Sequence, residues 1–393
     1  MTTRERSWRF GTRMGTMLGL ATFAVAGSAQ GVSFRGIGDL AGGETYSQAW
    51  GVSGDGRVVV GTSYSADGRQ ATRWDVESGL QGLGILPGGG VYALGRAASQ
   101  DGSVVVGITD SALSIDSHEG VEAFRWDAVG GLQSLGDLPG GEFESMAFDV
   151  TPDGTYVVGS SSVRTPDHFA DPQESGRQPF RWDAVNGMVA LPLPADATHG
   201  GFASGVSADG RTVVGSYQTD TVEVPFIWRE GVGTSVMGDF PAGAYRSEVR
   251  ALSPDGRIAV AWVSVLGQDG GWLRWEDGVG ELITGARGIP NAVDATGSIV
   301  GGDNSTFGAF IWTRETGMVA VEDFLSRYGL DVSGWEFDSI QGFSDDGRTI
   351  VGFGTNPDGF REGFVAVIPE PSTAMLLGLG LSVIATRRRV ATS

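Results

Sequence analysis

The chain is written in short apolar runs of four to seven residues, each stopped by glycine, Asp-Gly or Pro-Gly. Runs this short, bounded by turn residues and rich in valine and aromatics, predict strands, not helices. One run recurs along almost the whole length. It reads SGDGRVVVGTS from Ser53, SQDGSVVVGIT from Ser99, TPDGTYVVGSS from Thr151 and SADGRTVVGSY from Ser207. It returns as SPDGRIAVAWV from Ser253, DATGSIVGGD from Asp294 and SDDGRTIVGFG from Ser344. The steps between the seven copies are 46, 52, 56, 46, 41 and 50 residues, the period of a repeat fold with about four strands per unit.

Each Asp-Gly pair predicts a hairpin turn, because Asp can bond its own backbone and Gly accepts positive φ. The valine-rich run that follows does not alternate between apolar and polar, so both of its faces must be buried. Small sheets stacked radially supply that environment, each one sandwiched between two neighbours. An aromatic phrase comes next in the first six copies, ending at Trp74, Trp126, Trp182, Trp228, Trp275 and Trp312; the seventh ends in GFVAV with Phe364. Phe124 and Trp126 are two apart and share a strand face, which is expected to pack on the next blade as core. A third phrase closes the unit, as in GLQGLGILPGG (79–89) and GLQSLGDLPGG (131–141).

The seventh repeat stops after its third strand, while FRGIGDLAGG (34–43) is a fourth-strand phrase with no repeat before it. The N-terminal strand is therefore expected to complete the last blade and remove two sheet edges. The fold predicted is all-β: a seven-bladed β-propeller of four-stranded blades over residues 30–368, with an open solenoid the poorer alternative.

Composition agrees with a turn-rich β fold, since 65 glycines in 393 residues is more than twice the roughly 7% of ordinary chains. Cysteine is absent and every one of the 27 basic residues is Arg, which excludes disulfides and thiolate chemistry. Residues 1–29 read as a signal peptide: Arg4, Arg6, Arg9 and Arg13 precede an apolar stretch and the small residues Gly27, Ser28 and Ala29. Setting aside that segment and the tail from Pro369 removes seven arginines and two acids, leaving 20 Arg against 45 acids, a charge near −25. Such a field repels nucleic acid, so nucleic-acid binding is excluded first.

The other end reads VIPEPSTAMLLGLGLSVIATRRR over residues 367–389. Residues 372–386 carry no charge and as a helix would span about 22 Å, a marginal transmembrane span. Leu376, Leu377, Leu379 and Leu381 would form the anchor and Arg387, Arg388 and Arg389 would hold it on the cytoplasmic side.

Candidate chemistry is thin. Two connections between second and third strands are long, 110–122 and 162–178, and long loops on a rigid scaffold are favoured binding surfaces. They hold Asp116, His118, Glu119, Asp167, His168 and Asp171 as possible ligand-binding residues, without the His spacing of a metal site. No nucleophile elbow, P-loop or metal motif occurs, so no catalytic residue, cofactor or metal is expected. A glycosidase-type carboxylate pair remains the enzymatic alternative, with Glu44, Glu142, Glu144 and Glu248 near the entries of inner strands.

Pro369-Glu370-Pro371, the Leu/Gly span and the arginine cluster, in that order, resemble the PEP-CTERM sorting signal, also described as an ice-binding protein C-terminal domain. The resemblance implies an exported protein held transiently in the inner membrane until an exosortase-type protease acts near Pro369, Glu370 and Pro371. Release then carries the protein to the cell surface or into an exopolysaccharide-rich matrix. The repeats resemble the HAF extracellular repeats, which join an L-G-x-L-x-G-G, a D-G-x-V-V-G and a His-Ala-Phe-x-W phrase. The His positions here are Glu122, Gln178, Val224 and Gly308. Together these resemblances imply a noncatalytic envelope or matrix propeller whose partners are polysaccharide or surface proteins; a structural coat protein is the remaining alternative.

Overall fold

The computed structural model describes residues 31–369, apart from residues 111, 113–120, 142, 164–175, 239–240, 242, 267–270 and 284–287. The described residues form seven four-stranded antiparallel sheets, the seven blades that the repeats predict. Six blades are consecutive in sequence. In the seventh, Ser33–Gly36 pairs with Arg361–Val367, so a strand from before the first repeat closes the last blade. One short helix, Val321–Ser326, follows the sixth blade and buries Val321, Phe324 and Leu325.

The valine-rich second strands sit in the middle of the packing, as their lack of alternation requires. In Val104–Asp110 the first six residues are all buried. Phe124, Phe180, Phe226, Phe310 and Phe364 on the third strands are wholly buried. Phe124 meets Val58, Val60 and Ala71, with Trp126 packed alongside. The aromatic phrase thus packs on the preceding blade, not the next one. A Phe→Ala change in such a place costs about 3–5 kcal/mol.

The Asp-Gly turns are saturated with hydrogen bonds. The Ser99 hydroxyl donates to the Asp101 carboxylate (3.0 Å) and accepts the Val104 N–H (3.0 Å), while Gly102 takes φ 66°. Blade 6 substitutes Asp294, whose carboxylate accepts the Ile299 N–H at 3.0 Å. The turns also clasp one another around the axis. The N–H of Asp345 donates to Gly54 O (2.9 Å), Asp55 to Gln100 O (2.9 Å), Gln100 to Pro152 O (2.8 Å), Ala208 to Pro254 O (2.7 Å) and Ala295 to Asp345 O (3.3 Å). The two links missing from this ring follow Pro152 and Pro254, which have no N–H to give. Across the first gap, the Asp149 carboxylate of blade 3 accepts the Val206 N–H of blade 4 at 2.9 Å.

Candidate binding channel

The innermost strands are Gly42–Val52, Ala93–Ala98, Ser145–Val150, Gly201–Val206, Ala244–Leu252, Ile289–Val293 and Glu336–Phe343. All seven break register at the same place, three residues before the Ser, Thr or Asp that opens the turn. A β-bulge there leaves one residue unpaired and re-aims its side chain. The seven bulged residues are Trp50, Arg96, Phe148, Ser204, Arg250, Asn291 and Gln341, and every one lines a single central cavity of about 490 Å³. The cavity continues toward the turns, where a further 140 Å³ is bordered by Gly54, Gln100, Pro152 and Asp345.

The bulge also explains the glycine that ends six of the seven runs, Ala261 taking its place in blade 5. A Cβ on Gly107 would run into the Leu94 carbonyl oxygen, and one on Gly159 into that of Met146. Both carbonyls belong to the bulged strand, so in these blades its close approach leaves no room for a side chain.

The ring has unspent hydrogen-bonding capacity. Among the described residues, Trp50 Nε1, Arg96 Nε, Ser204 Oγ and Arg250 Nε are buried without a partner, as is Ser160 Oγ beside them. Arg96 lies against the Trp50 ring (4.7 Å) and the Phe148 ring (5.6 Å), gripped by the bulged residues of both adjacent blades. Part of it stays open to the lumen while protein encloses the rest, and no ion pair of Arg96 occurs among the described residues. Burial, and more weakly the positive field of Arg250, push its guanidinium pKa down. Arg250 is better served, with Glu248 at 3.1 Å. Asn291 Nδ2 donates to Asp303 (2.8 Å) and Ser339 (3.0 Å), and Gln341 Nε2 to Ser339 (2.8 Å).

Two carboxylates face the cavity. Burial pushes Asp149 up to about 7, against the pull of the Val206 and Val150 N–H groups that occupy its oxygens. Glu248 is held by Arg250 and, at 3.8 Å, by Arg246. Arg246 also binds Glu223 at 2.9 Å, and burial with repulsion from Glu248 pushes Glu223 up to about 7.

Of the carboxylates singled out in the sequence, Glu248 lines this cavity, Glu144 pairs with Arg177 and Glu44 is exposed. Glu142 lies outside the described residues, as do Asp116, His118, Glu119, Asp167, His168 and Asp171 of the two long connections. Asn304 of the Asn-Ser-Thr tripeptide is buried and accepts the Thr306 N–H at 2.7 Å, a turn residue within the fold. Sequence reasoning missed the bulge ring.

The last strand delivers the tail directly. Val367 pairs with Ser33 on one side and with Thr349, just past an Asp-Gly turn, on the other. Ile368 is wholly buried, its N–H bound to Arg348 O at 2.9 Å, and Pro369 follows at once. A family model for the PEP-CTERM protein-sorting motif matches residues 367–389. The chain carries a PEP-CTERM sorting motif. The motif implies export and a membrane-associated sorting step by an exosortase-type protein. Glu370, Pro371, the leucines 376, 377, 379 and 381 and the arginines 387–389 lie outside the described residues, as does the signal segment. Among the described residues no helix is long and apolar enough to cross a membrane.

No curated protein matches the sequence. Among solved structures, the chain is similar to the β-propeller domain of the Trilobed protease from Pyrococcus furiosus, described as having an open velcro topology. The identity is 11%, the TM-score 0.52, and the match covers 82% of this chain and 95% of that one. TolB from Acinetobacter baumannii matches at 14% identity and TM-score 0.42, over 80% and 81% of the two chains. The first likeness supports the propeller fold.

Proposed function

We propose that this PEP-CTERM protein is a noncatalytic propeller that binds polysaccharide of the cell envelope or extracellular matrix, and that the central channel is its binding site. The bulge ring carries this reading. One backbone device, repeated in every blade, presents seven side chains to one cavity, and four of them keep buried polar atoms without partners. Unpaired buried polar atoms are costly, and a small turn of these side chains toward a ligand in the lumen would recover that cost on binding. The cavity volume falls within the roughly 300–1,000 Å³ typical of ligand sites. Trp50, Phe148 and Phe202 add flat apolar surface of the kind that sugar rings cover. The likeness of the repeats to HAF extracellular repeats points the same way.

The last strand ends beside the Asp-Gly turns, so an anchoring tail would leave the propeller from its turn face. The enzymatic alternative draws on Asp149 and Glu248 sharing the cavity, one carboxyl raised to about 7 and one ion-paired. Both Asp149 oxygens are already taken by backbone N–H groups, which favours a bridging role between blades.

Incubating the mature protein with a panel of matrix polysaccharides separates the readings. Binding without turnover is expected. Turnover would favour the enzyme, and a blank panel with capture of a surface protein would move the function to a protein partner. Mass spectrometry of the protein from its host should find a C-terminus near Glu370.

A further inference from the structure

The unspent groups of the ring share one chemical sense. Trp50 Nε1, Arg96 Nε and Arg250 Nε can only donate, and Ser204 Oγ can also donate. The two carboxylates of the cavity already have partners: Glu248 pairs with Arg250, and Asp149 accepts two backbone N–H groups. The chain is strongly acidic, at −20 overall, yet its channel contains Arg96, Arg177 and Arg250; Arg177 pairs with Glu144 and Arg250 with Glu248, and Arg96 has no ion pair among the described residues. A ligand entering this lumen must therefore bring acceptors, and preferably negative charge.

Arginine narrows the choice further. Its planar fork matches a carboxylate bidentately, and it stacks on aromatic faces while leaving its N–H edge free. Arg96 is held that way between Trp50 and Phe148. From blade 5, Arg250 faces the same lumen with its Nε unpaired. Hydroxyl and amide groups of Ser160, Ser204, Asn291 and Gln341 border the rest of the cavity, and Phe148 and Phe202 supply apolar faces. Carboxylate, several hydroxyls and a partly apolar ring are the features of one ligand class. We infer that the channel binds a uronic acid residue of an acidic polysaccharide, its carboxylate received by Arg96 and Arg250 and its ring lying against the aromatic members of the bulge ring. This rests on the polysaccharide-binding reading above and specifies which sugar the site selects.

The test is calorimetric titration of the full mature chain with oligogalacturonate, beside the same oligosaccharide with its carboxyls reduced to alcohols. Poly-glutamate and inorganic phosphate serve as further probes. Binding of oligogalacturonate alone is expected, with a loss of about tenfold to a hundredfold in Arg96→Gln and in Arg250→Gln. Arg96→Met keeps the length of the side chain and removes its charge, and should abolish uronate binding while leaving the melting temperature of the free protein unchanged or raised. Equal binding of the reduced oligosaccharide would overturn the uronate inference and leave polysaccharide binding standing. Equal binding of poly-glutamate or phosphate would overturn it in favour of a peptide or a plain anion site. Failure of every saccharide, in protein whose melting temperature is intact, would overturn both readings.

Discussion

Two rings encircle the axis of this propeller, a few residues apart on the same strands, and they are built on opposite terms. The turn ring repeats its chemistry: a Ser, Thr or Asp opens it, Asp-Gly completes it in six blades and Thr-Gly in the other, and the hydroxyl-to-carboxylate bond recurs at 2.6–3.0 Å in Ser99, Thr151, Ser253 and Ser344. The bulge ring repeats its backbone and varies its side chains, from Trp50 and Phe148 to Ser204, Asn291 and Gln341, with Arg96 and Arg250 between them. The first ring satisfies its polar groups within itself, and the second leaves several buried ones open. Where a repeat protein holds both geometry and chemistry constant, the residues serve the fold. Where it holds geometry constant and lets chemistry vary, the residues are free to serve a ligand.

The contrast is broken most severely at the glycines that permit the bulges. Gly159→Val sets side-chain atoms against the Met146 carbonyl and should cost about 3 kcal/mol, enough to lower the midpoint of denaturant unfolding clearly. Next in size are the turns. Ser99→Ala leaves the buried Val104 N–H without its acceptor and removes one of the donors to Asp101, an expected loss of about 1–3 kcal/mol by the same assay.

The turn carboxylates and two buried carboxylates elsewhere in the blades titrate in opposite directions. In the turns, Asp101 and Asp209 are held below the usual carboxylate range, chiefly by hydrogen bonds from Ser103 and Ser207. Their contribution is present above the unfolded-state value near 4 and is lost as pH falls. Asp149 and Glu223 are raised by burial to about 7. The folded state then binds protons more tightly than the unfolded chain, so their contribution is full below about 4 and is lost as pH rises through about 7. Unfolding followed across that window should show stability falling with pH, and Asp149→Asn should flatten the fall. The smallest effect is expected in the bulge ring. Ser204→Ala removes a buried hydroxyl that has no partner and should change stability by no more than about 0.5 kcal/mol.

Much of the first ring was legible in the sequence and almost none of the second. The seven-fold phrase set the blade count, VVVG marked a strand buried on both faces, and the orphan phrase at 34–43 showed how the last blade closes. Those features speak through hydrophobic pattern and turn chemistry, which are local. The bulge is invisible to an alternation argument because it is the place where alternation fails: Arg96-Ala-Ala before Ser99 and Trp50-Gly-Val before Ser53 look like ordinary strand ends. Two signals were present. The glycine closing six of the seven runs calls for a close backbone approach, and the column three residues before each turn reads Trp, Arg, Phe, Ser, Arg, Asn, Gln. Length and acidity drew attention instead to the connections at 110–122 and 162–178. The strongly negative net charge gave no sign that Arg96, Arg177 and Arg250 line the channel, because whole-chain charge says little about local field.

The most direct measurement takes Arg96→Met, whose guanidinium has no ion pair among the described residues, and records melting temperature and polysaccharide binding on the same preparation, beside Ser99→Ala. If the bulge ring serves a ligand and the turn ring serves the fold, Arg96→Met melts at or above the parent temperature and no longer binds, while Ser99→Ala melts lower and still binds. An Arg96→Met protein that melts as low as the turn variant and retains full binding would contradict this division and return Arg96 to the scaffold.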